Sequence, residues 1–155
     1  MVLYLLVKTL HILSAAVLFG TGLGIAFFMF RARFTSDVSQ QLYAARNTVL
    51  ADNCFTLPAA FVQPLSGLWL AWQAGFHFSD AWLLRSLFLY ALAGACWLPV
   101  VWIQLQMRDS LARAHQDGAA TPARFFRLFN VWFALGWPAF IAFVIIFYLM
   151  VAKPV

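Results

Sequence analysis

Long apolar segments alternate with short polar connections along the whole chain. The apolar segments cover residues 3–30, 47–73, 81–107 and 125–152. Each is longer than the ~20 residues that a helix needs to cross a hydrocarbon core of ~30 Å. Backbone groups in lipid must be satisfied within the segment, so we expect α-helices, and the alternating polarity of a transmembrane β-barrel is missing. The pattern predicts an all-α, polytopic membrane protein, a four-transmembrane-helix bundle in a single domain, residues 1–155.

Composition agrees with this pattern and excludes some classes of function. Hydrophobic residues make up 65% of the chain and charged residues only 10%, whereas soluble domains are about 45–50% apolar and about 25% charged. The net charge is +5, but the basic residues are scattered and form no stripe or tail. We therefore expect a lipid bilayer as the main partner and no nucleic acid.

The basic residues are distributed unevenly between the connections. The second connection, residues 74–80, contains neither Lys nor Arg. By the positive-inside rule, the first and third connections lie in the cytoplasm. The sequence thus predicts a multi-pass protein of the cytoplasmic (inner) membrane with both termini on the outer side. Seven of the ten basic residues support this orientation: Arg31, Arg33, Arg46, Arg108, Arg113, Arg124 and Arg127.

Two ionisable residues lie inside the first apolar segment. Lys8 and His11 are three residues apart and therefore share one face of a helix. A charge at the membrane centre costs at least about 2.5–3.5 kcal/mol, so such residues are candidates for a functional site. With the predicted topology, Lys8, His11 and Arg85 all lie in the outer half of the bundle. A cationic cluster of this kind favours an anionic ligand, for example the propionates of a porphyrin.

The position of His11 leaves several interpretations open. Its side chain is too deep and too short to reach the headgroups as a long lysine side chain does. It is either a neutral imidazole hydrogen-bonded to a neighbouring helix, or a haem ligand, a proton carrier or the partner of a bound anion. Neutral imidazole is a common axial ligand of haem iron, so His11 is the candidate metal-binding residue.

The second apolar segment carries a weakly polar stripe. Asp52, Thr56 and Gln63 follow helical spacing along it. Interhelical hydrogen bonds are the expected role of amide side chains in membranes, while Asp52 is expected to pair with an arginine of the inner side or to carry protons. Prolines inside the segments predict kinks, and kinks can open a cavity between helices. These prolines are Pro58, Pro64, Pro99 and Pro138.

Several stretches of the chain resemble known families of membrane proteins. VKTLHILSAAVLFGTGL and TLPAAFVQPLSGLWLAW resemble the first two helices of the HemJ-type protoporphyrinogen oxidases. AWLLRSLFLY resembles the opening of their third helix, with Arg85 where that family carries Lys, and RFFRLFN with the closing VAKP resembles their last helix. The chain is more closely similar to an uncharacterised family of bacterial four-helix integral membrane proteins. Both belong to a broad group that includes the copper-resistance membrane domain of the CopD type.

The resemblance implies a four-helix bundle with b-type haem at His11. In the oxidase family, that haem is thought to serve the removal of electrons and protons from protoporphyrinogen. The chain departs from the family pattern at Ala26 and Phe27, which occupy the place of a Pro-Arg pair. A histidine further along the family's third helix has no counterpart in this sequence.

Three classes of function follow from these observations, and the least supported is a small transporter, for example for a metal, because four helices are few for it unless the chain oligomerises and the sequence has no metal-ligand spacing. The first is a membrane protein that binds haem b or a porphyrin in the outer half of the bundle and serves a redox role, as an oxidoreductase similar to the HemJ type. His11 would then be the axial ligand, Lys8 and Arg85 would pair with the propionates, and a porphyrin or quinone would be the partner molecule. The second is a non-catalytic membrane subunit or lipid-binding scaffold. In that case the GxxxG pair Gly20 and Gly24 would serve helix pairing, including a homo-oligomer.

Overall fold

The computed structural model of the protein describes residues 1–153. A π-helical turn, Asp52–Thr56, joins the second and third helices without a break. The helices form four segments that are long and apolar enough to span a membrane, and residues 38–73 count as one of them. For the described residues this confirms the prediction of an all-α bundle with four transmembrane helices. The α-helices are α1 (Val2–Ala32), α2 (Val38–Ala51), α3 (Leu57–Gln73), α4 (Ala81–Gln116) and α5 (Ala123–Ala152).

Two spans extend further than the apolar pattern predicted. The second span begins at Val38 instead of residue 47, and α4 ends at Gln116 instead of residue 107. Hydropathy marks only the part of a helix that lies in lipid, whereas the helical backbone continues beyond it. The connection between α1 and α2 is therefore only residues 33–37, and the connection between α4 and α5 only residues 117–122. Both lie at the same end of the bundle.

The short connections contain residues suited to helix ends. Asp37 caps α2, because its side chain accepts a hydrogen bond of 2.8 Å from the backbone N–H of Ser39. Gly118 has a φ of 62°, a conformation that glycine adopts without steric penalty, directly after the end of α4. Pro122 precedes the first residue of α5 and has no N–H to leave unpaired at this helix start.

The π turn has a local cause in the sequence. The backbone N–H of Leu57 bonds to the carbonyl of Asp52, five residues earlier. Pro58 follows directly, and in a regular α-helix its ring would clash with the carbonyl of Cys54. The wider turn relieves this clash. It also carries Asp52 and Thr56 to the interior, where both are buried. Single π turns of this kind are frequent at functional sites.

The helices pack as two pairs. α1 packs mainly on α3, and α4 packs mainly on α5. α2 joins the pairs at one end, because it contacts both α1 and α4. The densest part of the core lies there, where five hydrophobic side chains are completely buried. α3 and α4 make little direct contact, so the bundle is open between the pairs further along. The five buried side chains are Met29, Met107, Leu111, Phe125 and Phe129.

A proline explains one direct link between α3 and α4. Pro64 has no N–H, so the carbonyl of Ala60 loses its helical hydrogen bond. The hydroxyl of Tyr90 on α4 donates to that carbonyl at 2.7 Å. In lipid, a carbonyl freed in this way has to find its partner outside its own backbone ladder. Pro64 therefore creates an acceptor that Tyr90 occupies.

The opposite end of the bundle contains the N-terminus of α1, the connection 74–80 and the end of α5. Phe76 and Trp82 pack edge to face there, with ring centroids 5.0 Å apart. The ammonium group of Lys153 lies 4.7 Å from the ring centroid of Phe76 and 5.7 Å from that of Trp82. Cation–π contacts contribute about 0.5–1 kcal/mol at exposed sites. These contacts hold the end of α5 against the α3–α4 connection.

Candidate functional site

His11 lies at the interface of α1 and α3 and is hydrogen-bonded through both ring nitrogens. Its Nδ1 is 2.9 Å from the hydroxyl of Ser66, and its Nε2 is 3.2 Å from the amide nitrogen of Gln63. The hydroxyl of Ser14 donates to the amide oxygen of Gln63. His11 is thus bonded to a neighbouring helix, as one of the interpretations of the sequence expected.

The hydrogen-bond partners of His11 determine which of its two ring nitrogens carries the proton. The amide oxygen of Gln63 accepts from Ser14, so the amide nitrogen is the atom that donates to Nε2 of His11. Nδ1 therefore carries the proton and donates to Ser66, whose hydroxyl passes its own hydrogen to the carbonyl of Val62 at 2.6 Å. Every polar atom of the network has a partner with the imidazole neutral. We call Ser14, Gln63 and Ser66 together with His11 the histidine network.

A glycine makes room for the histidine ring. A Cβ atom on Gly67 would lie 2.8 Å from Cε1 of His11, closer than carbon atoms in contact are found. Only glycine therefore lets α3 approach the ring of His11 this closely. This contact is not predictable from the sequence, because His11 and Gly67 belong to different spans.

The structure does not bring the predicted cationic cluster together. Lys8 lies one helical turn from His11 on α1 and is exposed. Arg85 is exposed on α4 and lines a shallow groove between α4 and α5, with Phe88 and Tyr148 among its neighbours. The described residues that line this groove all belong to α4 and α5, and neither Lys8 nor His11 is among them.

An apolar cavity lies elsewhere in the bundle, between the two helix pairs. It has a volume of about 530 Å³, within the ~300–1,000 Å³ of typical small-molecule sites. On α1 it begins at Leu18, which is about 10 Å further along the helix axis than His11. Its walls are aromatic and aliphatic, and we call it the central cavity. The aromatic residues that line it include Phe19, Trp97, Trp132, Trp137, Phe140 and Phe143.

The central cavity reaches the lipid-facing surface where α3 and α4 diverge. Phe61 on α3 and Leu98 on α4 both line the cavity. Their exposed fractions are 65% and 66%. The side chains that flank the gap thus belong to the cavity wall and to the outer surface of the bundle at the same time.

Buried polar atoms without partners converge on this cavity. Asp52, Thr56 and Gln104 are exposed by only 6%, 8% and 3%, and each has one polar atom without a hydrogen bond among the described residues. The indole nitrogens of Trp97 and Trp132 are also buried without a hydrogen-bond partner among the described residues. All five residues line the central cavity. Buried polar groups in native proteins nearly always have partners, so such a concentration points to a ligand or to water. We call these five residues the polar cluster.

Asp52 lies at the centre of the polar cluster. The side chains of Thr56, Trp97 and Gln104 surround its carboxyl group, although none meets hydrogen-bond geometry with its Oδ2. The expected pairing of Asp52 with an arginine is wrong, because the ion pair among residues 1–153 joins Arg108 to its neighbour Asp109. None of the described residues that line the central cavity is a Lys, Arg or His. Asp52 therefore lies in the cavity wall without a basic partner among them.

Glycines from three helices leave the cavity wide. Gly22 on α1, Gly94 on α4 and Gly136 on α5 all line it. A Cβ atom built on any of them meets nothing within 4 Å. Larger side chains at these positions would project into free space, which makes them suitable for filling the cavity in experiments.

Sequence analysis found only part of this arrangement. Helical spacing in the sequence places Asp52 and Thr56 on one polar stripe. It does not indicate that Trp97, Gln104 and Trp132 lie near them. A tryptophan or glutamine in an apolar segment is ordinarily a packing or interface residue, and only the tertiary structure reveals that these face one cavity. Among the described residues, no three His, Cys, Asp or Glu side chains come together as in a metal site.

Comparison with known proteins agrees with the membrane architecture. A model of the family described as "Predicted integral membrane protein (DUF2269)" matches residues 5–154. No curated protein and no solved structure matches the chain significantly. The match covers nearly the whole chain and confirms the prediction that it is an integral membrane protein of an uncharacterised family. With four apolar spans in one continuous match, the chain belongs to the DUF2269 family of integral membrane proteins.

Proposed function

We propose that the protein binds a lipophilic, ring-containing molecule of the porphyrin or quinone class inside the membrane, and that it serves a redox role. The observation that carries this proposal is the convergence of five unpaired polar atoms on the central cavity. Binding sites for small molecules are mostly apolar and have a few placed polar groups. The central cavity has this character, and quinones and iron porphyrins are ring compounds that carry electrons.

The proposal is tested by titrating the purified protein in lipid nanodiscs with menadione and with protoporphyrin. Tryptophan fluorescence serves as the readout, because three tryptophans line the cavity. Gly136→Leu fills the cavity and should weaken binding about tenfold or more, since an overpacked site excludes its ligand. Gly20→Leu is the matched control, because Gly20 does not line the cavity and has open space around it.

Saturable binding that Gly136→Leu reduces and Gly20→Leu leaves unchanged supports the proposal. If neither compound binds saturably, or if both variants behave alike, the proposal is wrong. The protein would then be better described as a non-catalytic membrane subunit or lipid-binding scaffold, with the histidine network holding α1 on α3.

The second candidate function is the binding of haem b through His11. Its support is the proton on Nδ1, which is donated to Ser66, because metal-bound histidines commonly donate their other ring N–H in this way. Nε2 would be the ligating atom, and Lys8 would be placed to pair with a propionate. Binding requires that the amide of Gln63 leave Nε2, and Arg85 could assist only from the other helix pair. Haem would supply electron transfer when bound.

An absorption spectrum of the protein, oxidised and then reduced with dithionite, tests this second candidate. We expect a Soret band that disappears in His11→Ala and persists in His77→Ala, since His77 is exposed in the connection between α3 and α4. A full Soret band in His11→Ala would remove His11 as the ligand. A spectrum without haem, even when haem is supplied during expression, would exclude the candidate altogether.

A further inference from the structure

We propose that the central cavity selects a 1,4-dioxygenated ring, a quinone or its hydroquinone, over a porphyrin, with the polar cluster as the binding site for the two ring oxygens. This inference rests on the proposed function and narrows its ligand class.

The polar cluster offers unpaired donors and unpaired acceptors together. The indole nitrogens of Trp97 and Trp132 can only donate, and Oε1 of Gln104 can only accept. The hydroxyl of Thr56 does both, and Asp52 accepts as a carboxylate and donates as a carboxylic acid. An oxygen atom on an aromatic ring matches such a mixture, because a quinone oxygen accepts and a hydroquinone hydroxyl also donates. A hydrocarbon ligand would leave all five atoms unpaired.

The charge of the cavity wall distinguishes a quinone from a porphyrin. Porphyrins of the haem pathway carry carboxylate groups, and a buried carboxylate needs a basic partner. The described residues of the cavity wall include no Lys, Arg or His, and the wall's own carboxyl group, Asp52, would repel a second one. A quinone headgroup is neutral and adds no charge to the membrane interior. The central cavity therefore suits the neutral ring.

The rest of the cavity suits the ring and its hydrophobic substituents. The aromatic side chains of Phe19, Trp137 and Phe140 line the wall and provide faces and edges against which a planar ring can pack. The gap between α3 and α4, flanked by Phe61 and Leu98, opens from the cavity toward lipid. An alkyl or isoprenoid tail on the ring would extend through this gap into the bilayer.

The test compares two probes that differ only in the ring oxygens: duroquinone and durene, the same tetramethyl ring without oxygen. Binding to the protein in nanodiscs is measured by calorimetry. Duroquinone should bind at least about tenfold more tightly, because its hydrogen bonds to the polar cluster add to the shared apolar contact. Protoporphyrin should bind more weakly than duroquinone.

Substitutions in the polar cluster test which residues cause the difference in affinity between duroquinone and durene. Gln104→Leu should weaken duroquinone binding about three- to tenfold and leave durene binding unchanged, since it removes one acceptor and keeps the side-chain volume. Asp52→Leu should act in the same direction. Gln106→Leu is the control on the same helix, because Gln106 bonds to Arg124 and does not line the cavity.

The outcomes separate this inference from the proposed function. If duroquinone and durene bind equally and Gly136→Leu blocks both, the cavity binds lipophilic rings but the quinone inference is wrong. If Gln104→Leu weakens both probes alike, the effect is one of shape, and the inference again fails. If no probe binds, including protoporphyrin, the proposed function fails with it.

Discussion

At the scale of single residues, the histidine network shows how an ionisable group is accommodated in lipid. Both ring nitrogens of His11 have partners, at Ser66 and Gln63, so the neutral ring leaves no polar atom exposed to hydrocarbon. Gly67 lets the two helices approach closely enough for these bonds to form. Interhelical hydrogen bonds in membranes contribute about 0.6 kcal/mol on average and up to about 1.7. The network therefore stabilises the α1–α3 pair by a modest amount and fixes its register.

Gly67→Ala should destabilise the protein by about 1–3 kcal/mol, because the added Cβ overlaps the His11 ring and forces the helices apart. The change is measured as a lowered midpoint of thermal unfolding in detergent, followed by circular dichroism. Gly20→Ala is the matched control, since nothing lies within 4 Å of its added Cβ. In a His11→Ala background the cost of Gly67→Ala should shrink. An equal cost in both backgrounds would contradict the assigned clash.

The sequence identified His11 but could not identify its partners. An imidazole inside an apolar segment is visible from the sequence alone. Its partners lie 52 and 55 residues away, and only the packing of α1 on α3 brings them into contact. The neighbours of Arg85 were not predictable either. Its position in the sequence indicates its depth in the membrane, but only the packing of the helices places it on the α4–α5 pair.

At the scale of helices, prolines determine where the backbone needs outside partners. Pro64 frees the carbonyl of Ala60, and the Tyr90 hydroxyl supplies the missing donor. Pro58 coincides with the π turn that carries Asp52 and Thr56. The sequence predicted kinks at both prolines. It could not predict the donor on α4 or the turn type, because both depend on the neighbouring helix and on the exact path of the backbone.

Tyr90→Phe should destabilise the protein by about 1–2 kcal/mol, because it leaves the carbonyl of Ala60 unpaired in a low-dielectric interior. Urea or heat unfolding in detergent gives the loss of stability. Pro64→Ala restores the N–H that the carbonyl needs, so Tyr90→Phe should cost much less in that background. If the cost is the same with and without Pro64, the bond from Tyr90 does not substitute for a helical one.

Deletion of Asn53 should convert the π turn to an α-helical turn that is kinked at Pro58, and should abolish binding of the cavity ligand. A π turn contains one residue more than the α-helix it interrupts, and removing it rotates the preceding helix by about 100° relative to the following one. Far-ultraviolet circular dichroism should stay nearly unchanged, while the duroquinone titration should lose saturation. Asn53→Ala is the control, because it keeps the residue count. Retention of binding in the deletion variant would contradict a role of the π turn in shaping the site.

At the scale of the whole molecule, four spans place both ends of the described chain on the same side of a membrane. The number of spans was predictable, because lipid requires long apolar helices and this signal is strong. The ends of the spans were less predictable, because α2 and α4 continue beyond the hydrophobic region. The pairing of helices and the central cavity were not predictable, because every segment is apolar on most of its surface and gives no directional signal.

The predicted orientation is tested with single cysteines in a variant whose Cys54 and Cys96 are replaced by serine. Ser79→Cys lies in the connection between α3 and α4, and Ala119→Cys in the connection between α4 and α5; both positions are exposed. A membrane-impermeant maleimide should label Ser79→Cys in intact spheroplasts and Ala119→Cys only after permeabilisation. The reverse pattern would invert the orientation. Labelling of both from one side would contradict four spans.

The gap between α3 and α4 has a consequence for how a ligand arrives. A molecule dissolved in the bilayer could enter sideways between the helices, past Phe61 and Leu98, without crossing an aqueous phase. The concentration that matters for occupancy is then the one in the membrane, where a long-tailed compound is enriched by orders of magnitude over water. Poor solubility in water would be no obstacle to such a ligand, and compounds too polar to partition into lipid would not reach the cavity at all.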